Sequence, residues 1–168
     1  MIPVISIVGR SNSGKTTLLE KIIGELRRRN IKVGTIKHHH YTFDIDTEGK
    51  DTWRFWMAGS DSVAISSPSK FALVSRVEKE KNIDEIVRLM GDVDLVITEG
   101  YKKCDKPKIE LIRRQKGEQP MEYPEGNPPI AFVVDSKEGF QAGDIPVFYR
   151  DDIIEIADFI IDFCKLKP

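Results

Sequence analysis

The sequence is sparing in cysteine and histidine. Its two cysteines, Cys104 and Cys164, stand far apart and form no C-x-x-C or Cys/His ligand spacing, which excludes a zinc ribbon or a disulfide framework and points to a reducing cytoplasm. No apolar run reaches the ~20 residues that cross a bilayer. The start, "MIPVISIVGRSNSGK", lacks the basic stretch and small-residue cleavage site of a signal peptide, so the expectation is a soluble, unexported protein with no membrane partner. Charge of one sign is lacking too: 26 basic residues face 27 acidic ones, for a formal net charge of -1, which argues against a broad nucleic-acid surface. There is no internal repeat, no low-complexity tract and no second hydrophobic core, so residues 1–168 are expected to form a single domain.

What is present is a rhythm. Short apolar runs alternate with segments of helical period, the pattern of an α/β domain with a mainly parallel sheet. "PVISIVG" (3–9) reads as the first buried strand and "IKVGTIKH" (31–38) as the second. Between them Leu18, Leu19, Ile22, Ile23 and Leu26 make one apolar helical face, with Arg27, Arg28 and Arg29 offsetting the negative end of the helix dipole. "KDTWRFWMAG" predicts a short helix ended by Gly59, and "DSVAISS" and "KFALVSRV" alternate as strands do. "NIDEIVRLMG" predicts a helix capped by Asn82, with Ile83, Ile86, Val87 and Met90 on one face. "DLVITEG", "KIELIRR", "IAFVVD" and "IPVFY" add strands. The C-terminal helix would bury Ile153, Ile156, Ala157, Ile160 and Cys164 behind Asp151 and Asp152. The count comes to a twisted sheet of about seven or eight strands flanked by helices. Gln115 to Pro129, rich in Pro, Gly and charge, reads as a long surface loop.

The most informative stretch is "GRSNSGKT", Gly9 to Thr16, which matches G-x-x-x-x-G-K-[ST]. The pattern arises by chance in on the order of one chain in a hundred of this length, but here it also lies between a strand and an amphipathic helix, as its chemistry requires. The loop through Arg10, Ser11, Asn12 and Ser13 aims backbone N–H groups at phosphate, and Gly9 and Gly14 remove side chains where backbone must approach it. Lys15 would reach the β and γ phosphates, Thr16 would ligate Mg²⁺, and Thr17 follows in the first helical turn. The partner acid is expected at the carboxyl end of a neighbouring parallel strand; Glu99, ending "DLVITE", meets that requirement, whereas Asp94 starts the strand and belongs to the opposite edge. Asp135, ending "AFVVD", could accept two N–H bonds from a guanine edge, but there is no N-K-x-D motif and guanine over adenine stays open on these residues alone.

All the histidines fall together in "KHHHYTFDIDTEGKD". On a strand His38 and His40 would share one side and His39 the other, a spacing that can chelate a transition metal. The neighbouring ligands are carboxylates, Asp44, Asp46 and Asp51, which prefer Mg²⁺ and water. The segment follows the second strand, so its start reaches the ligand edge of a parallel sheet. There any of the acids Asp44, Asp46 and Asp51, Asp46 among them as the metal candidate, could hold a Mg²⁺-bound water, and Lys50 or Arg54 could meet phosphate or a second anionic ligand. Trp53, Phe55, Trp56 and Met57 read as core or oligomer contact.

The ordered set "GRSNSGKTTLLEKII", "GTIKHHHYTFDIDTEGKDTWRFWMAGS", "DLVITEGYK" and "KPKIELIRR" resembles the molybdopterin-guanine dinucleotide biosynthesis protein B family, from the N-terminus to about Arg114. The resemblance implies a P-loop NTPase-like α/β fold, a homodimer, and binding of GTP with Mg²⁺ followed by slow hydrolysis. It also implies work beside the guanylyltransferase that couples GMP to molybdopterin, with molybdopterin itself as a second partner. By position Gly9 to Thr16 would take the phosphates, Glu99 the acidic role, and the His/Asp block a place near nucleotide or molybdopterin. Slow turnover agrees with the lack of a water-orienting Gln and of a clear arginine finger in cis, although Arg113 or Arg114 could serve in trans. Two other functions use the same residues: a small-molecule kinase clamping its acceptor with Lys50, Arg54 and Arg113, and a nucleotide-gated metal carrier using the histidines.

Overall fold

The computed structural model describes residues 1–39, 41–124 and 126–167. The chain divides into two compact units, Met1–His38 with Leu89–Pro168, and His39–Arg88. The expected pairing of His40 with His38 lies outside the described residues.

The larger unit holds β1 (Val4–Gly9), α1 (Lys15–Arg28), β2 (Val33–Lys37), β5 (Leu95–Glu99), β6 (Lys108–Ile112), β7 (Ala131–Val134), β8 (Val147–Tyr149) and α4 (Ile153–Cys164). Its six strands run in the order β2-β5-β1-β6-β7-β8, and every neighbouring pair is parallel. The smaller unit holds α2 (Asp51–Met57), β3 (Ser62–Ser67), β4 (Lys70–Ser75) and α3 (Ile83–Val87). The expected α/β architecture with a mostly parallel sheet is therefore present, with one difference. The eight strands divide as six in the parallel sheet and two, β3 and β4, in an antiparallel hairpin of their own. The difference is one of burial. β1, β5, β6 and β7 are buried along almost their whole length, including the polar residues they carry, whereas "SVAISS" and "KFALVS" stay mostly exposed.

Alternation sorts the large sheet into two unlike faces. On one, Ile5, Ile7, Leu95, Ile97, Ile109, Leu111, Ala131 and Val133 pack against Leu18, Leu19, Ile22 and Leu26 of α1 and Ile156, Ala157, Ile160 and Ile161 of α4. Each such fully buried side chain contributes about 1.5–3 kcal/mol. The same helices are tied at their surfaces by Arg29, which pairs with Glu25 at 2.8 Å and with Asp158. On the other face a row of polar side chains is buried: Ser6, Thr98, Lys108 and Glu110. Thr98 Oγ1 donates to Ser6 Oγ at 2.8 Å, and Ser6 Oγ lies 3.5 Å from Cys104 Sγ. Lys108 Nζ donates to the Cys104 carbonyl at 3.0 Å, and Asn127 Nδ2 donates to the same oxygen at 2.8 Å. Glu110 Oε1 accepts from the Met121 N–H at 2.8 Å. The segment from Gln115 to Pro129 is thus pinned to the sheet by its backbone and by Asn127, with Tyr123 placed over the Lys108 ammonium.

In the smaller unit Asn82 caps α3 as expected. Its side chain accepts from the Glu85 N–H at 2.9 Å, and Glu85 Oε2 accepts from the Asn82 N–H at 2.8 Å, a reciprocal box that satisfies two helix-end donors. The helix itself stops at Val87, short of Met90. Arg76 braces the hairpin, donating to the carbonyls of Ser60 and Trp56 and lying over the Trp56 ring.

Burial pushes the Glu110 carboxyl above the usual carboxylate range, opposed by the Met121 N–H. A folded-state value above the unfolded one costs nothing below the unfolded pKa and costs stability as pH rises past it. Glu110→Gln, which keeps a carbonyl acceptor for Met121, is expected to raise the urea midpoint at pH 7 and to raise it less at pH 4. Equal gains at the two pH values would exclude the ionisation account.

Candidate functional site

The ends of the parallel strands gather the site. β1 is hydrogen-bonded on both sides, with Ile7 opposite Glu99 in β5 and Gly9 opposite Leu111 in β6, so the loop leaving β1 begins beside both strands. A β-carbon on Gly9 would come within 2.6 Å of the Leu111 carbonyl oxygen, so glycine is demanded there by space. Gly14 sits in the left-handed region at φ 95 and serves as the N-cap of α1, where a side chain would strain the backbone. Asn12 is left-handed too, at φ 58, a conformation its short amide side chain tolerates. Between them the loop turns tightly enough for the Ser13 N–H to reach the Arg10 carbonyl at 3.3 Å. Arg10, Ser11, Asn12, Thr16 and Thr17 stay exposed, and Ser13 is buried with its hydroxyl unpartnered.

Lys15 arches back over this loop, and its Nζ donates to the Arg10 carbonyl at 2.9 Å. Burial lowers the ammonium below the ordinary lysine range, against the attraction of Glu99; Glu118 also attracts it, and Lys102 and Lys37 repel. Next to it the Thr16 hydroxyl stands 3.4 and 3.3 Å from the two carboxylate oxygens of Glu99. The sheet thus brings Gly9 to Thr17, Lys15 and Glu99 to one edge. Asp94 lies at the other end of β5, accepting from the Lys32 N–H at 2.7 Å.

Asp135 stands at the end of β7 on the carboxyl edge of the sheet. One carboxylate oxygen accepts from Arg113 Nε at 3.2 Å and the other from the Gln115 N–H at 3.1 Å. It lines a pocket of about 460 Å³ together with Gln115, Tyr149, Arg150, Asp151 and Asp152. Arg113 and Arg114 are engaged within their own chain: Arg113 with Asp135, Arg114 donating to the Glu118 carbonyl at 3.2 Å and lying over the Phe140 ring. Asp46 and Lys50 belong to the smaller unit. Asp46 Oδ1 accepts from the Thr47 N–H at 2.8 Å, and Lys50 is the N-cap residue of α2. His38 stacks on Tyr101 with ring centroids 4.3 Å apart, and His39 meets Tyr41 edge-on at 5.9 Å. Among the described residues no three His, Cys, Asp or Glu side chains converge as a metal cluster.

The family model for molybdopterin guanine dinucleotide synthesis protein B, MobB, matches residues 4–135. The chain belongs to the MobB family. It is 42% identical over 122 residues to the molybdopterin-guanine dinucleotide biosynthesis adapter protein of Haemophilus influenzae, covering 71% of this chain and 68% of that one. It is 32% identical to the adapter protein of Escherichia coli K12, covering 98% and 95%. A crystal structure of molybdopterin-guanine biosynthesis protein B superposes with a TM-score of 0.72 at 32% identity, over 95% of this chain and 99% of the other. The Bacillus subtilis MobB crystal structure gives 0.74 at 27%, over 99% of each. The MobB match ends at Asp135, before the pocket residues Tyr149 to Asp152. In the sequence Asp151 and Asp152 read only as the lead-in to the C-terminal helix, and Gln115 only as the start of a loop, although "IPVFYRDD" carries the same signal as "DLVITEG": polar side chains at the carboxyl end of a parallel strand.

In this MobB-family chain Gly9→Ala is expected to push β1 from β6 and to lower stability by about 1–3 kcal/mol, the usual cost of overpacking. Thermal unfolding measures it, and an unchanged melting temperature would mean that the two strand ends separate freely.

Proposed function

We propose that the protein binds GTP with Mg²⁺ on the Gly9–Thr16 loop and serves as an adapter in molybdopterin guanine dinucleotide biosynthesis. The adapter role is supported by its MobB relatives, which carry that description. The nucleotide role is carried by one observation above the others: the Thr16 hydroxyl within 3.3 Å of the Glu99 carboxylate, beside Lys15. A hydroxyl and a carboxylate are hard oxygen donors, and two of them suit an ion that keeps most of its coordination shell for water and phosphate oxygens. Thr16 and Glu99 would hold the ion, which when bound would neutralise phosphate charge. Lys15 releases the Arg10 carbonyl for phosphate, and the amides of residues 10–16 fix the phosphate position.

Asp135 supports guanine as the base. Each carboxylate oxygen offers two lone pairs, so the bonds to Arg113 and Gln115 leave room to accept from a guanine edge. The bond to Asp135 keeps Arg113 in its own chain and the Glu118 carbonyl keeps Arg114 there, which favours slow hydrolysis. Asp46, as holder of a metal-bound water, and Lys50, as phosphate contact, enter this proposal on their sequence position in the His/Asp block alone. The proposed homodimer and the contact with the guanylyltransferase and molybdopterin draw support from β3–β4, where Ile65, Phe71 and Leu73 are 59%, 66% and 55% exposed. Among the described residues no helix is long and apolar enough to cross a membrane, in keeping with the proposed cytoplasmic setting.

Lys15→Ala is expected to weaken GTP about ten- to a hundredfold, the loss of one charge-assisted phosphate contact. Calorimetric titration with GTP and Mg²⁺ measures this, and undiminished affinity would sink the phosphate assignment. Asp135→Asn is expected to erase a preference for GTP over ATP while leaving the shared triphosphate contacts intact. A preference that survives would remove Asp135 from the base site.

A further inference from the structure

The surroundings of Arg150 assign it a ligand. Its backbone N–H donates to the Val134 carbonyl at 2.9 Å, which fixes the residue just past β8 on the carboxyl edge of the sheet. Its guanidinium then reaches back: Nη2 stands 3.8 Å from the position a β-carbon of Gly14 would take. Arg150 also lines the pocket that holds Asp135, so it is common to that pocket and to the phosphate loop.

The charge balance at this point is incomplete. Among the described residues the Arg150 guanidinium has no hydrogen-bonded or ion-paired partner, although two acids follow it in sequence. Asp151 is held by Lys21 at 2.8 Å. Asp152 accepts from the Tyr149 N–H at 3.0 Å and faces Lys137 at 3.9 Å. Its charge is offset only through space, by Asp151, and no acid is paired with it. The guanidinium is set against the N-terminus of α1, whose own partial charge is positive, so the two together favour an anion, and the planar fork of arginine suits phosphate oxygens.

We propose that Arg150 is a nucleotide-binding residue that holds the α-phosphate of a nucleotide seated on the Gly9–Thr16 loop with its base in the Asp135 pocket. This rests on the nucleotide reading above. Lys15 and Thr16 serve the β and γ phosphates at one end, and Asp135 serves the base at the other. The α-phosphate is the anionic group on the path between them, and Arg150 is the cation on that path.

The test uses the full chain and equilibrium titration with GMP and GDP. Arg150→Gln is expected to weaken both by a similar factor, about ten- to a hundredfold, because both carry the α-phosphate. Arg150→Lys should fall between the Gln variant and the wild type. Lys15→Ala should weaken GDP and leave GMP close to wild type, which separates the two ends of the phosphate chain. Melting temperatures near the wild-type value for the Arg150 variants would show that binding and not folding is being read; if the Gln variant melts early, the Lys variant carries the comparison. Unchanged GMP and GDP affinities in a folded Arg150 variant, or a loss confined to GDP, would overturn the assignment while leaving the nucleotide reading standing. A wild-type protein that binds neither GDP nor GTP would overturn both.

Discussion

Everything at the ligand edge depends on β1 being locked between two parallel partners. With β5 on one side and β6 on the other, β1 can neither slide nor tilt, and its six residues are buried throughout. The register that pairs Ile7 with Glu99 places the acid beside the loop, and the register that pairs Gly9 with Leu111 leaves no space for a side chain where the loop begins. Because all six strands run the same way, the turns after β5, β7 and β8 reach the same edge. Glu99, Asp135 and Arg150 therefore stand on one edge of the sheet although they are far apart in sequence.

The two faces of the sheet solve burial differently. The face under α1 and α4 is apolar throughout and is held by packing. The opposite face carries a buried lysine and a buried glutamate, 0% and 1% exposed, and is closed by loops that donate and accept hydrogen bonds. Cys104 is the pivot of that side. Its carbonyl receives both Lys108 and Asn127, so a single main-chain oxygen joins β6 to the segment that crosses over it. A loop held by main-chain bonds to a rigid strand keeps its residues in place, and Arg113 and Gln115 in turn hold Asp135 still.

Much of this was legible in the residues because it is local. The period of Leu18, Leu19, Ile22 and Leu26, the Asn82 and Glu85 spacing, and the glycines of "GRSNSGK" each state their structure within a few positions. Glu99 was legible by one further rule, that ligands sit at the carboxyl ends of parallel strands. What escaped is what depends on which strand lies beside which. Nothing in "SVAISS" or "KFALVS" says that these strands pair only with each other, and nothing in "RDD" says that the arginine will reach Gly14. The loop from Gln115 to Pro129 reads as unattached because its anchors are backbone groups and a buried carboxylate whose burial the sequence does not announce.

The order of the sheet also sets a schedule for the chain's synthesis. β1 is made first, yet its nearest partner residues are far ahead: Val4 waits for Val96, and Ser6 for Lys108. At about 5–20 residues per second the ribosome delivers β5 roughly 5–20 s later. Through that interval a largely apolar strand has no ladder to join, and α1 has no sheet on which to lay its apolar face. Long-range parallel pairing of this kind closes its largest loops before any bond rewards them. The apolar surface of "VISIVG" is therefore without its native partners until the middle of the protein has been made.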